Sequence, residues 1–177
     1  MYLSWVICRK GASSIEAALL FPVLFVMLFG FFDIGNALLV RQKIITASQV
    51  AGDLVARERS VTTPELEQAI EAARLAIEPF NVIDFGIDIV GVRFDADDDP
   101  EAIWRETSGN IVINNTAVDR AVGLGVFNEG VVVVTTQYRY VPPFTSSVFS
   151  SDSILSEYIF REVSYFRGRR NSFVPRL

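Results

Sequence analysis

The sequence predicts an α+β protein: one long N-terminal helix that crosses a membrane and continues into a domain with a small antiparallel sheet. Three observations predict it. An uncharged apolar run, AALLFPVLFVMLFGFF, occupies Ala17 to Phe32. Beyond it, apolar residues recur at alternating steps of three and four, the helical period. After Pro79 the period falls to two, and the strands follow one another without crossover helices between them, which favours antiparallel order.

The apolar character extends from Ile15 to Val40, roughly 39 Å of helix at about 1.5 Å per residue, enough for a hydrocarbon core of about 30 Å. Centred near Leu24, such a span leaves its two acids, Glu16 and Asp33, near the interfaces, where a charge costs far less than the roughly 2.5 kcal/mol of mid-bilayer. Pro22 removes one helix hydrogen bond within two turns of the helix start, where that loss is mildest. Arg9 and Lys10 precede the span and Arg41 and Lys43 follow it, so the positive-inside rule assigns no orientation. The same run reads alternatively as an uncleaved signal anchor, or as a signal peptide cut after Gly35-Asn36-Ala37.

The chain has 177 residues and is half hydrophobic, with a net charge of −5 and a mean hydropathy of +0.33. Histidine is absent and Cys8 is the single cysteine, which excludes His-based acid/base chemistry, His-dependent nucleophilic triads, nearly all zinc sites and any intrachain disulfide. No basic block precedes residue 161, so nucleic acid is not an expected partner. The basic tail Arg161, Arg167, Arg169, Arg170 and Arg176 reads as a solvated or ion-paired final strand, with an acidic docking partner as the alternative.

The most specific signal is Arg9-Lys10-Gly11-Ala12-Ser13-Ser14-Ile15-Glu16: a basic pair, glycine, four residues, glutamate, then the apolar helix. This resembles type IV prepilins, which a membrane aspartyl peptidase cuts after the glycine. Ala12 then becomes the N-terminus and Glu16 the fifth residue. A new α-amino charge in an apolar filament is costly unpaired, and a carboxylate one helical turn away neutralises it. The alternative reading of Glu16 is an interfacial acid favoured by the helix dipole. The stretch Gly11 to Ala51 resembles the TadE-like proteins of tight-adherence (Tad) pilus systems through Glu16, Pro22 six residues later, the Gly30, Asp33, Gly35 series and the small-residue helix beyond. An apolar Met1 to Cys8 departs from the usual polar leader.

The resemblance implies a minor pilin or pseudopilin processed by the Tad prepilin peptidase, acting in assembly of an adhesive pilus. It implies a single-pass bacterial inner-membrane location with a cytoplasmic N-terminus and a pilin-like periplasmic or extracellular domain. Its partners would be other pilin and pseudopilin subunits, the peptidase, the inner-membrane assembly platform and the bilayer, with no cofactor. Gly11 and Ala12 would flank the cut, Glu16 would neutralise the N-terminus, and Pro22, Gly30, Asp33 and Gly35 would shape helix packing. Residues 1–11 are then a leader, 12–59 the long helix including the span 15–40, and 60–177 the outer domain. A membrane-anchored structural or sensory protein and a secreted binding protein are the competing readings; an enzyme is not expected, since no paired catalytic groups sit together.

Past the span, Ala37, Val40, Ile44, Ala47, Ala51 and Leu54 form one helical stripe, expected to pack on the chain's own domain or on a neighbouring subunit. Val61 to Pro64 breaks the helix; Thr63-Pro64 starts a second one through about Glu78, with Leu66, Ile70, Ala73 and Ile77 as its apolar face. Phe85, Ile87 and Ile89 alternate, slip phase at Val90-Gly91, and resume at Val92 and Phe94, which predicts a bulged strand. Short strands are expected at Ala102–Glu106 and Asn110–Ile113, with Trp104 as a core anchor. A valine-rich strand is expected over Val131–Val141 and a last strand within Tyr158–Arg167.

The remaining candidates are weak. Asp95, Asp97 and Asp99 lie at alternate positions that suit calcium, but the loop lacks the glycine and closing glutamate of an EF-hand. Gly123-Leu124-Gly125 reads as a linker rather than a phosphate turn, and Asn114-Asn115-Thr116 as a chance sequon. Aromatics including Tyr138, Tyr140, Phe144, Phe149, Tyr158, Phe160, Tyr165 and Phe166 suit a sheet core and rim, or else an adhesive face. The serine-rich Ser146 to Ser153 has no base to activate a hydroxyl.

Overall fold

The computed structural model describes residues 9–113, 115–144 and 157–177, with side chains from Ser14 onward. The expectations for Met1–Cys8, Asn114, Phe149 and the Ser146–Ser153 loop lie outside the described residues. The chain divides into two compact units, residues 1–37 with 142–156, and residues 38–141 with 157–177.

Helix α1 runs from Arg9 to Arg57, about 74 Å at about 1.5 Å per residue. It continues on both sides of Pro22. Its apolar window has hydropathy 2.3 and none of it is buried in the chain. One N-terminal helix is thus long and apolar enough to cross a membrane.

In the second unit, α2 (Thr63–Ile77), the strands β1 (Phe85–Phe94) and β2 (Pro100–Gly109), a short α3 (Thr116–Asp119), β3 (Gly130–Tyr140) and β4 (Tyr158–Arg167) follow in order. The four strands form one sheet in the order β2-β1-β3-β4, with every neighbouring pair antiparallel. Helix, then sheet, gives the expected α+β class. β2 is one strand where two were expected: Asn110–Ile113 lies beyond its end, because Gly109 turns the chain with φ 78° and the Asn110 N–H bonds to the Phe85 carbonyl at 3.1 Å.

The apparent phase slip in β1 records two cores. Thr136 donates its hydroxyl to the Ile44 carbonyl of α1 at 3.3 Å, so Thr136 and its cross-strand neighbour Ile87 face the helices, with Ile89 and Val134 two residues on. Val90, Val92 and Phe94 belong instead to the opposite face, packed with Val118, Ala121, Val131 and Val133 under the connection that carries α3. A strand buried on both faces shows apolar residues in both phases. The register does shift at Gly91/Val92, and the extra residue is Ile103 of β2.

The stripe on α1 packs on the chain's own sheet, the first of its two expected homes. Val40, Ile44, Ala47 and Ala51 are buried, while Leu54 is exposed and Val55 and Ala56 take its place. The hydroxyls of Ser48 and Ser164 lie 2.8 Å apart, and a Cβ at Gly52 would sit 2.0 Å from the Phe166 ring. The helix backbone therefore approaches β4 as closely as a glycine permits.

α2 is capped one residue earlier than expected: Thr62 is the N-cap, with proline in the first turn. The Glu65 carboxylate accepts from the Thr62 N–H at 2.7 Å and from its hydroxyl at 2.8 Å. These two bonds hold the Glu65 carboxyl below the ordinary glutamate range. Leu66, Ala69, Ile70, Ala73 and Ile77 are buried along its inner face.

The C-terminus closes the domain. Val61 and Arg176 form a parallel bridge, and Trp104 donates its indole N–H to the Val174 carbonyl at 2.7 Å. Trp104 is thus the anchor expected of it. Three of the five tail arginines are ion-paired, Arg167 with Glu129, Arg169 with Asp53, and Arg176 with Glu106, while Arg161 donates to the Gln137 side-chain oxygen at 2.6 Å.

Candidate assembly site on the N-terminal helix

The backbone of Arg9 to Ala12 is helical, so the Gly11–Ala12 bond lies within α1. Glu16 lies on the exposed surface of the same helix. It opens an apolar surface on which Leu19, Val26, Phe31 and Ile34 are all exposed.

Pro22 is exposed with its neighbours. At Gly30 and Gly35 an added Cβ would meet open space, so nothing within the chain requires glycine there. The apolar segment's own side chains make a ladder along one face: Phe21 against Phe25 at 4.8 Å and Phe25 against Phe29 at 5.8 Å between ring centroids.

Asp33 behaves differently from the other expected packing residues, because its partners come from the chain itself. It is buried, and its carboxylate accepts the Phe144 backbone N–H at 3.3 Å. The Phe144 ring stacks on Phe29 at 4.6 Å and meets Phe32 edge-on at 5.3 Å. An acid within an apolar helix is tolerable when a donor satisfies it and apolar surface shields the pair. Sequence reading gave Asp33 an interfacial position; it had no means of finding a donor 111 residues away.

The weak candidates resolve into structural roles. The Asp95 carboxylate accepts the N–H groups of Asp97 and Asp99, both at 2.9 Å, an Asx arrangement that shapes the β1–β2 hairpin. Asp98 adopts φ 63° and accepts the Phe127 N–H at 2.6 Å. Among the described residues no three acidic side chains converge on a metal position, so Asp95, Asp97 and Asp99 are not brought together as ligands. Gly125 lies against the Phe94 ring, as part of the connection between β2 and β3. Of the aromatics, Tyr138 packs on Phe80, and Tyr140 and Tyr158 on Phe160. Tyr165 donates to the Ala117 carbonyl at 2.9 Å. Burial raises the phenol of Tyr138, with Asp84 adding to the effect, and burial likewise raises that of Tyr165.

One buried ionic cluster escaped the sequence reading. Asp88 of β1 is buried, accepts the Thr107 hydroxyl at 2.8 Å and faces Arg105 at 3.4 Å across the strand pair. Arg105 also donates to the Asn115 side chain at 2.8 Å. A charged residue inside an otherwise apolar strand was the available signal.

No curated protein and no solved structure matches the chain. Residues 11–53, which hold Gly11, Glu16, the apolar surface and the stripe that docks on the sheet, match the family model of the TadE-like proteins, a match consistent with a TadE-like Tad pilus protein.

Proposed function

We propose that the chain is a minor pilin or pseudopilin which, once residues 1–11 are removed, takes part in assembling a Tad-type adhesive pilus, without catalytic activity of its own. The TadE-like match points to a Tad pilus-associated protein. The observation that carries the reading further is the helix itself: an apolar surface, beginning beside Glu16, on which the large hydrophobic side chains from Ile15 to Leu39 are exposed.

Such a surface needs a cover. In the bacterial inner membrane lipid supplies it; in a filament the helices of neighbouring pilin subunits replace lipid at little net cost, since packing between helices substitutes for packing against acyl chains. The open space at Gly30 and Gly35 lets a neighbouring backbone approach. After cleavage by a prepilin peptidase, the Ala12 ammonium is held by Glu16 of its own chain or of a neighbour, so that neither charge enters the filament unpaired. The assembly platform draws the subunit from the bilayer, and the sheet domain selects the adjoining subunits.

Intact-mass measurement and N-terminal sequencing of the protein from its native membrane test this. A mature chain starting at Ala12, and lost when Gly11 is replaced by a bulky residue, is the expected result. A start at Met1 supports an uncleaved anchor instead, and a start at Leu38 a secreted protein; either overturns the pilin reading.

A further inference from the structure

The connection between α3 and β3 holds apolar side chains out to solvent on a fixed backbone. Val122, Leu124, Val126 and Phe127 are 44–59% exposed, although Ala121 beside them is buried in the Phe94 core and Gly125 lies against the Phe94 ring. The N–H groups of Val122 and Leu124 bond to the Asp119 and Ala121 carbonyls at 3.4 and 2.9 Å, and that of Asn128 to the Phe94 carbonyl at 3.1 Å. Side chains hold the rest: Glu129 accepts the Val126 N–H at 3.2 Å and Asp98 accepts the Phe127 N–H at 2.6 Å. An apolar loop fixed in this way loses little conformational entropy when a partner covers it.

Its surroundings are acidic. Residues 95–129 hold eight acids and two arginines, and Asp97, Asp98, Asp99 and Asp119 are exposed beside the loop. Such a rim repels an anionic bilayer surface or an acidic protein, and its complement is an apolar side chain edged with arginine or lysine. The chain itself carries one. At the same end of the sheet but on the α1 face, residues 168–172 follow β4, and the Arg169 N–H bonds to the Ala56 carbonyl at 2.9 Å. Arg57, Arg59, Arg169 and Arg170 are exposed there, with the half-exposed Leu54 one turn before Arg57. Both patches belong to one compact unit. They cannot meet within one chain, because the sheet lies between them: the connection packs on the Val90, Val92 and Phe94 face, and α1 on the other. Copies standing parallel bring the acidic loop of one level with the arginines of the next.

We propose that the acid-rimmed loop 122–127 is a docking surface for a second copy of this chain, which presents Leu54 with Arg57, Arg59, Arg169 and Arg170. The contact joins two different patches, so it is heterologous and leaves each copy one patch for a further neighbour. Four apolar side chains make a small interface, weak between free molecules and strengthened where copies share one membrane. The inference concerns the sheet domain alone and stands whether or not residues 1–11 are removed.

The test uses the full chain in phosphatidylcholine vesicles on a Cys8→Ser background. Two single-cysteine copies are mixed and treated with a short bismaleimide, one with Val122→Cys in the acidic loop and one with Glu58→Cys beside the arginines. The cross-link between positions 122 and 58 should form in several-fold excess over either like-with-like product. Asp97→Arg with Asp99→Arg on the first copy should lower it several-fold, while the Asp95 carboxylate keeps the hairpin in shape. Arg59→Glu with Arg170→Glu on the second copy should then restore it. Phe127→Ala should lower it roughly tenfold, as loss of a central aromatic anchor does, with the unfolding midpoint unchanged. Like-with-like products as abundant as the mixed one, from a symmetric contact or from association through the apolar helices, overturn the proposal. So does the absence of any cross-link, which leaves the loop to a different protein, and so does a doubly reversed pair that fails to recover. Leader processing is read separately at the N-terminus, so these outcomes are distinct from failure of the pilin reading.

Discussion

Gly52→Ala is the substitution in which two physical effects of known sign compete at one atom. The new Cβ would stand 2.0, 2.2 and 2.5 Å from three carbons of the Phe166 ring, where carbon pairs are comfortable at about 3.5–4.0 Å. The ring must retreat by roughly 1.5 Å. It stands on β4 paired with Val132, beside the hydroxyl contact of Ser48 with Ser164 at 2.8 Å. Overpacking of this kind costs about 1–3 kcal/mol. Against it, alanine in a helix interior is favoured over glycine by about 1 kcal/mol, so the net expectation is destabilisation of about 0–2 kcal/mol. Gly52→Val, larger and with a weaker helix preference, should cost more. The assay is urea unfolding of the detergent-solubilised chain, followed by tryptophan fluorescence, since Trp104 is buried in the domain. The midpoint should fall with an unchanged slope. Phe166→Leu combined with Gly52→Ala should recover most of the loss, because the pair is coupled through one contact. Stabilisation by about 1 kcal/mol in the single variant, as helix preference alone gives, would refute the close approach of α1 to β4.

Other consequences are equally open to measurement. Glu16→Ala should leave leader cleavage intact but block incorporation into pili, scored by mass spectrometry and by pilus recovery; normal piliation in that variant removes the role assigned to the carboxylate. Asp88→Ala strands the Arg105 guanidinium in a mostly buried site and should cost about 3–5 kcal/mol, seen as a large fall in thermal midpoint. A fall no larger than that of Glu101→Ala, on the exposed hairpin end of β2, would count against the pair. Glu65 has its carboxyl depressed by Thr62, so its contribution is present above the ordinary glutamate value of 4.5 and is lost as pH falls through the depressed one. Glu65→Gln should therefore flatten stability over the acid range below 4.5, and an unchanged pH profile would show the cap to be inert.

Much of the fold was legible because it depends on local pattern. The α2 face, the valine-rich β3, the place of β4 and the stripe Val40, Ile44, Ala47 and Ala51 all follow from periodicity, which sets which side chains share a face. The stripe failed at Leu54, where the buried line moves to Val55 and Ala56, since a straight helix crossing a twisted sheet cannot keep one line of side chains in contact throughout. The Asn110–Ile113 strand failed for a different reason: a β-prone tetrapeptide pairs only if a neighbour offers it an edge, and Gly109 sends the chain across the sheet instead.

The sequence by itself determined that one helix is apolar enough to span a membrane, that a glycine and a glutamate separated by four residues precede its apolar run, and that no histidine or cysteine chemistry serves the outer domain. Those are properties of composition and near-neighbour spacing, which folding does not alter. Tertiary structure alone decided that β1 is buried on both faces and that Asp88 is shielded with Arg105. It also gave Asp33 a hydrogen bond from Phe144 and brought the loop 122–127 and the arginines beside Ala56 to one end of the sheet. Each of these depends on residues far apart in the chain meeting through strand register and helix docking, and no local pattern encodes where a distant partner will stand.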